Sequence, residues 1–259
     1  MTFEQWLITT LLQPMGVKSS STLMVHSAFS GLSKQGVQAA SLCESLLNYI
    51  HQGNVIMPTM TWRTVTKTQN CFDVKATPSH TGILSELFRT QFATHRSLHP
   101  THSVAIAGPD AEHLTQGHHL NPGPCSDSSP YGLIENSTLK DDAYILLIGV
   151  ALESCTYIHY FEEHFNFDAF LQSKTEHYRL IQTNEEVVEY NLHRHTRSVR
   201  DFHQFGNALH NMNALTVALY GDTPITLLKV HALSEVVRAE FERSPLATLP
   251  CHSYMQNTL

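Results

Sequence analysis

"AYILLIGVALESCTYIHYFEE", residues 143–163, is the stretch whose reading decides the fold. It opens with a nearly unbroken apolar run, 143–150, bounded by a polar break. That is the signature of a strand buried on both faces. From Thr156 onward the apolar residues return at helical spacing, and 156–171 reads as a helix. A buried strand passing directly into a helix is the repeating step of an α/β sheet protein.

The same step recurs outward from this block. Strand-like runs lie at "TLMVHS" (22–27), "NVIMPT" (54–59), "SVAIAG" (103–108), "EVVEYNL" (186–192) and "PITLLKV" (224–230). Helical periodicity covers 3–12, 37–50, 82–92, 202–219 and 231–241. The interleaving predicts one α/β domain over 1–259, with a central mixed, largely parallel sheet flanked by helices. Segment 118–132, "HHLNPGPCSDSSPYG", is rich in Pro, Gly and Ser and reads as a long ordered loop.

Several apolar strands end in polar residues. "TLMV" runs into His26-Ser27, "VIM" into Pro58-Thr59, and "ILLIGV" is followed by Glu153-Ser154-Cys155-Thr156. Ligands of open α/β sheets bind at the carboxyl ends of strands, so parallel strands would gather these tips on one edge. "RSLHPTH" (96–102) enters its strand instead of leaving it, and a loop must bring it to that edge.

Composition narrows the function. The 259 residues are 42% hydrophobic, enough for a sizeable core without disulfides. The net charge of −7 disfavours nucleic acid as a partner. No apolar run is long enough for a membrane span. "MTFEQWLITTLLQPMG" lacks a basic leader and reads as an amphipathic helix. Five cysteines, with no C-x-x-C pair, suggest reduced thiols and a cytoplasmic setting. Histidine, at 18 residues, outnumbers Lys and Arg together, at 16, which suits proton transfer or metal binding near neutral pH.

On the helix 156–171, His159 lies three residues before Glu162 and four before Glu163, all on one face. A carboxylate beside an imidazole orients it and raises its basicity. No zinc spacing is matched by "HYFEEH", by "HRH" (193–195), or by His99 and His102, which Pro100 separates; no metal is expected. Cys125 and Cys155 are candidate nucleophiles, but no G-x-S-x-G elbow is present. Phosphate-binding glycine motifs are absent, which argues against nucleoside triphosphate or nicotinamide chemistry. The residues alone point to a general-base enzyme with its site on a strand edge. A metal-dependent or cysteine hydrolase, and a binding protein without turnover, stay open beside it.

Six blocks in order resemble one family, the aminoglycoside 3-N-acetyltransferases. They are "GVKSSSTLMVHSAFSGL" (16–32), "NVIMPTMTW" (54–62), "TGILSELFR" (81–89), "RSLHPTHSVAIAGPDAEHLTQGH" (96–118), "PCSDSSPYGLI" (124–134) and "ILLIGVALESCTYIHYFEE" (145–163). The resemblance covers most of residues 1–171 and thins beyond. It implies that family's α/β fold, acetyl-CoA as co-substrate, and direct transfer to an amine without a covalent enzyme intermediate. The partners it implies are CoA and a small-molecule amine, and an oligomer is compatible with it.

Carried over by resemblance, His159 matches the base and Glu162 the acidic residue three later. His99, with Pro100, matches the His-Pro of the central block. His26 and Ser27 match the loop beside the thioester and pantetheine arm, and Arg96, Ser97, Ser103 and Val104 are the remaining expected coenzyme contacts. In the family a downstream acidic residue completes a dyad with the base. The corresponding region here, "VVEYNLHRHTRSVRDF" (187–202), offers Glu189 as its nearest carboxylate but also holds His193, Arg194 and His195. Extra histidines and an arginine suit a polycationic aminoglycoside less well than carboxylates would. The acceptor is therefore read as an aminoglycoside or related amino sugar, or alternatively a nucleotide-linked amino sugar.

Overall fold

The computed structural model describes residues 1–250. Ten strands are present among them: β1 Thr22–Ser27, β2 Asn54–Pro58, β3 Cys71–Asp73, β4 His95–Arg96, β5 Val104–Ala107, β6 Ala143–Ile148, β7 Glu176–Ile181, β8 Val187–Leu192, β9 Leu215–Tyr220 and β10 Thr223–Lys229. The α-helices are α1 Phe3–Leu7, α2 Ser30–Lys34, α3 Ala39–Tyr49, α4 Ile83–Gln91, α5 Ala111–Thr115, α6 Pro130–Glu135, α7 Ile158–Phe170, α8 Gly206–Asn211 and α9 Val230–Arg243.

Seven strands form the main sheet in the order β4-β5-β2-β1-β6-β10-β9, and β3-β7-β8 form a smaller one. Every residue of β6 is buried, as its continuous apolar run requires. Alternate residues of the central strands feed two cores. Met24, Ile56, Ile145 and Leu147 pack on one face with α7 and α9, and Leu23, Val25, Val55 and Leu146 on the other with α1 and α3. The sheet is mixed, as expected, but its parallel part is confined to β2-β1-β6; β4, β5, β10 and β9 all join by antiparallel pairing.

That topology answers where "RSLHPTH" goes. β5 pairs antiparallel with β2, with Val104 opposite Pro58, so the segment entering β5 lies at the edge where β2 ends. At the other end of β5 the chain must pass very close to its neighbour. Gly108 has φ +147, and a Cβ there would run into the Gly53 carbonyl oxygen, so only glycine fits.

One expected helix is not formed as such. Residues 202–219 divide into the short α8 and strand β9. Asn213 takes a left-handed φ of 53 and ends the helical run. Thr216 and Val217 are then held in a hairpin with β10, closed by a two-residue turn that begins at Gly221, φ 54. The apolar spacing there fits either period, and the turn chemistry decides it.

Candidate active site

The carboxyl ends of β1, β2 and β6 open into a cleft of about 1200 Å³. His26 and Ser27 from the end of β1 line it, as do Pro58 from β2 and Glu153, Ser154 and Thr156 from the segment after β6. These are the polar tips that the strand pattern brings to one edge.

His159 stands in the first turn of α7 and faces the same cleft, with 21% of its side chain exposed. Its Nδ1 lies 2.7 Å from Glu162 Oε2. Glu162 is fully buried; its other oxygen accepts from Arg200 Nε at 2.9 Å and from the Thr248 hydroxyl. Burial alone would raise the Glu162 carboxyl, but His159, Arg200 and Thr248 outweigh it and hold the pKa below the usual range. An ionised carboxylate is acceptor-only. Nδ1 of His159 therefore carries the hydrogen, which leaves Nε2 as the free ring nitrogen. That is the arrangement of an oriented general base.

A second His–Glu pair stands beside the first. His195 Nε2 lies 2.7 Å from Glu163 Oε1, which also accepts from the Cys125 backbone N–H at 2.7 Å. The His195 ring is 4.5 Å from that of His159 and 5.0 Å from that of His102, so three imidazoles meet in the cleft wall. The two glutamates differ in state. Burial, with the Glu162 and Asp127 charges, pushes the Glu163 carboxyl well above its usual value. Burial and the neighbouring His159 push His195 well down, so burial works against charge on both partners. Folding thus favours protonated Glu163. That contribution is fully present below the ordinary pKa of 4.5 and is lost as pH rises toward the folded value. Glu163→Gln should therefore gain on the wild type by up to about 1.4 kcal/mol per pH unit above that point. Urea titrations at several pH values measure the gap, and a gap constant with pH would contradict a protonated Glu163.

Cys125, Glu163 and His195 also place metal-capable atoms within 4.8 Å of one another. In that trio Glu163 and His195 already satisfy each other by a hydrogen bond. Neither cysteine raised as a nucleophile is activated. Burial pushes the Cys155 thiol up to about 12 and Cys125 well above its ordinary value.

Much of the central block serves the fold instead of the cleft. Arg96 donates from Nε to Thr59 Oγ1 and Ser103 Oγ, from one terminal nitrogen to the Val74 and Thr77 carbonyls, and from the other to the Thr59 carbonyl. It also lies over the Phe72 ring, 4.8 Å from its centroid. It fastens the small sheet to the large one: four of its five N–H groups are committed to the protein, and it does not line the cleft. Ser103 is buried on Thr59, and Ser97 is buried between His118 Nδ1 and the Val104 N–H. Val104 is a core residue of β5. His99 is fully buried; its Nδ1 accepts the Thr101 and His102 backbone N–H groups, and its ring stacks on His118. His99 shapes the turn that presents His102, and His102 is the one that lines the cleft. Arg96→Ala should cost at least about 3 kcal/mol of stability, since it strips charge-assisted donors from three carbonyls. Chemical denaturation checks this, and an unchanged midpoint would refute the strut role.

Glu189 does not reach His159. It stands on β8 with 59% of its side chain exposed and pairs with His177 at 2.8 Å and Arg179 at 3.9 Å across the small sheet. Strand alternation turns Tyr190, not Glu189, inward toward His99. Arg200 and Thr248 take the places beside Glu162 instead. "TRSVRDF" hints at Arg200; no sequence signal marks Thr248.

A family model described as aminoglycoside 3-N-acetyltransferase matches residues 24–242. A protein of Bacillus subtilis (strain 168), described as an SPbeta prophage-derived aminoglycoside N(3')-acetyltransferase-like protein, YokD, is 24% identical over 173 residues, 59% of this chain and 62% of that relative. The match thus spans less than two thirds of the relative's length. Among solved structures, a mutant of the aminoglycoside acetyltransferase AAC(3)-IVa in complex with a gentamicin superposes with a TM-score of 0.75 at 21% identity, over 96% of this chain and 93% of that one. AAC-IIIb in binary complex with CoASH gives 0.72 at 17% identity, over 93% and 97%. These likenesses show that the fold is shared.

Proposed function

Because the chain belongs to the aminoglycoside 3-N-acetyltransferase family, we propose that it transfers the acetyl group of acetyl-CoA to a primary amine of an amino sugar, with His159 as general base. The observation that carries this reading is the His159–Glu162 pair at 2.7 Å in the wall of the strand-edge cleft. Solved relatives of the same fold in complex with a gentamicin and with CoASH support it.

The chemistry needs one base and one leaving thiol. The ammonium form of the acceptor first loses a proton to solvent water to become the free amine. Its nitrogen lone pair forms a bond to the thioester carbonyl carbon, while His159 Nε2 takes the second nitrogen proton. Buried, ionised Glu162 stabilises the imidazolium that forms. The C–S bond then breaks, the sulfur keeps the electron pair, and the proton returned by His159 gives free CoA thiol and an amide. His26 and Ser27, at the end of β1, line the same cleft, and the family resemblance puts the thioester and pantetheine arm beside them.

Isothermal titration with CoA and acetyl-CoA, before and after EDTA treatment, tests the reading. Binding that survives the chelator, followed by thiol release with an amino sugar, is expected. Binding lost with the chelator, or no binding at all, would sink it.

A further inference from the structure

General-base transfer by His159 leaves the second His–Glu pair of the cleft unused. Glu163 is almost wholly buried and lies 2.7 Å from His195, which lines the cleft with 11% of its side chain exposed. The surrounding chain is shaped to hold that pair. A Cβ on Gly123 would meet Glu163 Oε2, so a side chain at that position would displace the carboxyl. The backbone on either side of His195 is fixed by three bonds of 2.8 Å: from the His193 N–H to the Pro122 carbonyl, from the Gln172 N–H to the Arg194 carbonyl, and from the Thr196 N–H to the Phe170 carbonyl. The His195 ring is thereby kept 4.5 Å from the ring of the base.

The hydrogens of the pair decide what His195 offers. Burial works against charge on either partner, so a form with no net charge is favoured, and that form carries two hydrogens. Glu163 Oε2 is buried and has no hydrogen-bond partner among the described residues. A hydrogen there would be a donor without an acceptor. One hydrogen therefore lies between Oε1 and Nε2, whichever of the two owns it. The other is on Nδ1, which bonds to no described residue and is not closed off by burial, so this N–H is left for the cleft. His159 is arranged the other way round, with Nδ1 on Glu162 and Nε2 free. The wall thus sets a hydrogen-bond donor beside the base.

We infer that the His195 Nδ1–H meets the thioester oxygen as that oxygen gains charge, which makes His195 a second catalytic residue; this rests on the acyl-transfer reading above. The attacking nitrogen must lie within hydrogen-bond reach of His159 Nε2. It is bonding to the carbonyl carbon, so the oxygen stands only two bonds from it, beside the neighbouring ring. A fixed N–H there stabilises the oxyanion with no reorganisation at the moment of reaction. The base alone leaves that oxygen without a donor.

The test is infrared spectroscopy of the protein saturated with acetyl-CoA that carries an isotope-labelled acetyl carbonyl, a measurement that needs no acceptor. The carbonyl band should move to lower wavenumber on binding. The shift should be lost in His195→Ala and partly recovered in His195→Asn, whose amide places an N–H near the position of Nδ1. A wild-type band at its free-solution position overturns the inference without any variant having to fold. A shift that survives in His195→Ala, or His195→Asn no better than His195→Ala, also overturns it and leaves acyl transfer standing. With gentamicin as acceptor, His195→Ala should lower kcat for thiol release by about 10² to 10³, with the CoA dissociation constant within about twofold. A loss confined to KM for gentamicin would place the ring on the molecule that carries the amine and overturn the inference. Failure of acetyl-CoA to bind at all overturns both readings.

Discussion

His159→Ala is expected to lower kcat for acetyl transfer by a factor of about 10² to 10⁴, the usual contribution of a positioned base. The CoA dissociation constant should stay within about twofold, because the base meets the amine and not the coenzyme's binding groups. The expectation rests on one free ring nitrogen. Nδ1 is spent on Glu162 at 2.7 Å, so Nε2 is what the ring presents to a cleft it helps to line. Steady-state thiol release and titration with CoA check the two halves separately. Wild-type turnover in the variant would remove His159 from the chemistry. His195 would then be the next base to test, since its ring lies only 4.5 Å away.

The second large effect belongs to Glu162. Glu162→Gln should destabilise the fold by about 3–5 kcal/mol, the cost of breaking a buried ion pair on one side. The carboxylate satisfies His159, Arg200 and Thr248 together. An amide turns one acceptor into a donor and leaves the Arg200 guanidinium, whose side chain is only 10% exposed, without its countercharge. Turnover should fall by about 10² as well, because His159 loses the group that fixes its tautomer. The pH dependence separates this from a plain packing defect. The Glu162 carboxyl is held below its ordinary 4.5 in the folded state. Its stabilisation is fully present above that value and is lost as pH falls through the folded pKa. The gap between wild type and variant in urea titrations should be widest near neutrality and narrow as pH falls below the ordinary 4.5. A gap that does not change on acidification would mean that the charge of Glu162 is not what stabilises the fold.

The neighbouring carboxylates show how much burial adds to sequence. Glu162 and Glu163 are adjacent in the chain and both sit on the His159 face of α7. Spacing alone treats them as near equivalents. In the fold one lies against a guanidinium that holds its pKa below the usual range, and the other lies against a backbone N–H and an imidazole where burial pushes its pKa well up. Arg96 makes the same point with the opposite outcome. Its place beside a His-Pro motif suggests a phosphate contact, but three carbonyls and two hydroxyls take four of its five N–H groups and hold it away from the cleft.

What the sequence determined by itself is what depends on neighbours along the chain. The apolar runs of β1, β2 and β6, the polar residues at their carboxyl ends, and the i, i+3 pairing of His159 with Glu162 are local, and all three are readable without the fold. The ordered blocks also point to the family whose model matches residues 24–242. Only the tertiary structure decided which side chains from distant segments converge. Glu189, the nearest downstream carboxylate, faces solvent, while Arg200 and Thr248, farther along the chain, close around Glu162. Sequence separation carries no information about such contacts, because strand alternation and loop paths set them. Desolvation, which divides Glu162 from Glu163, exists only once the chain has packed.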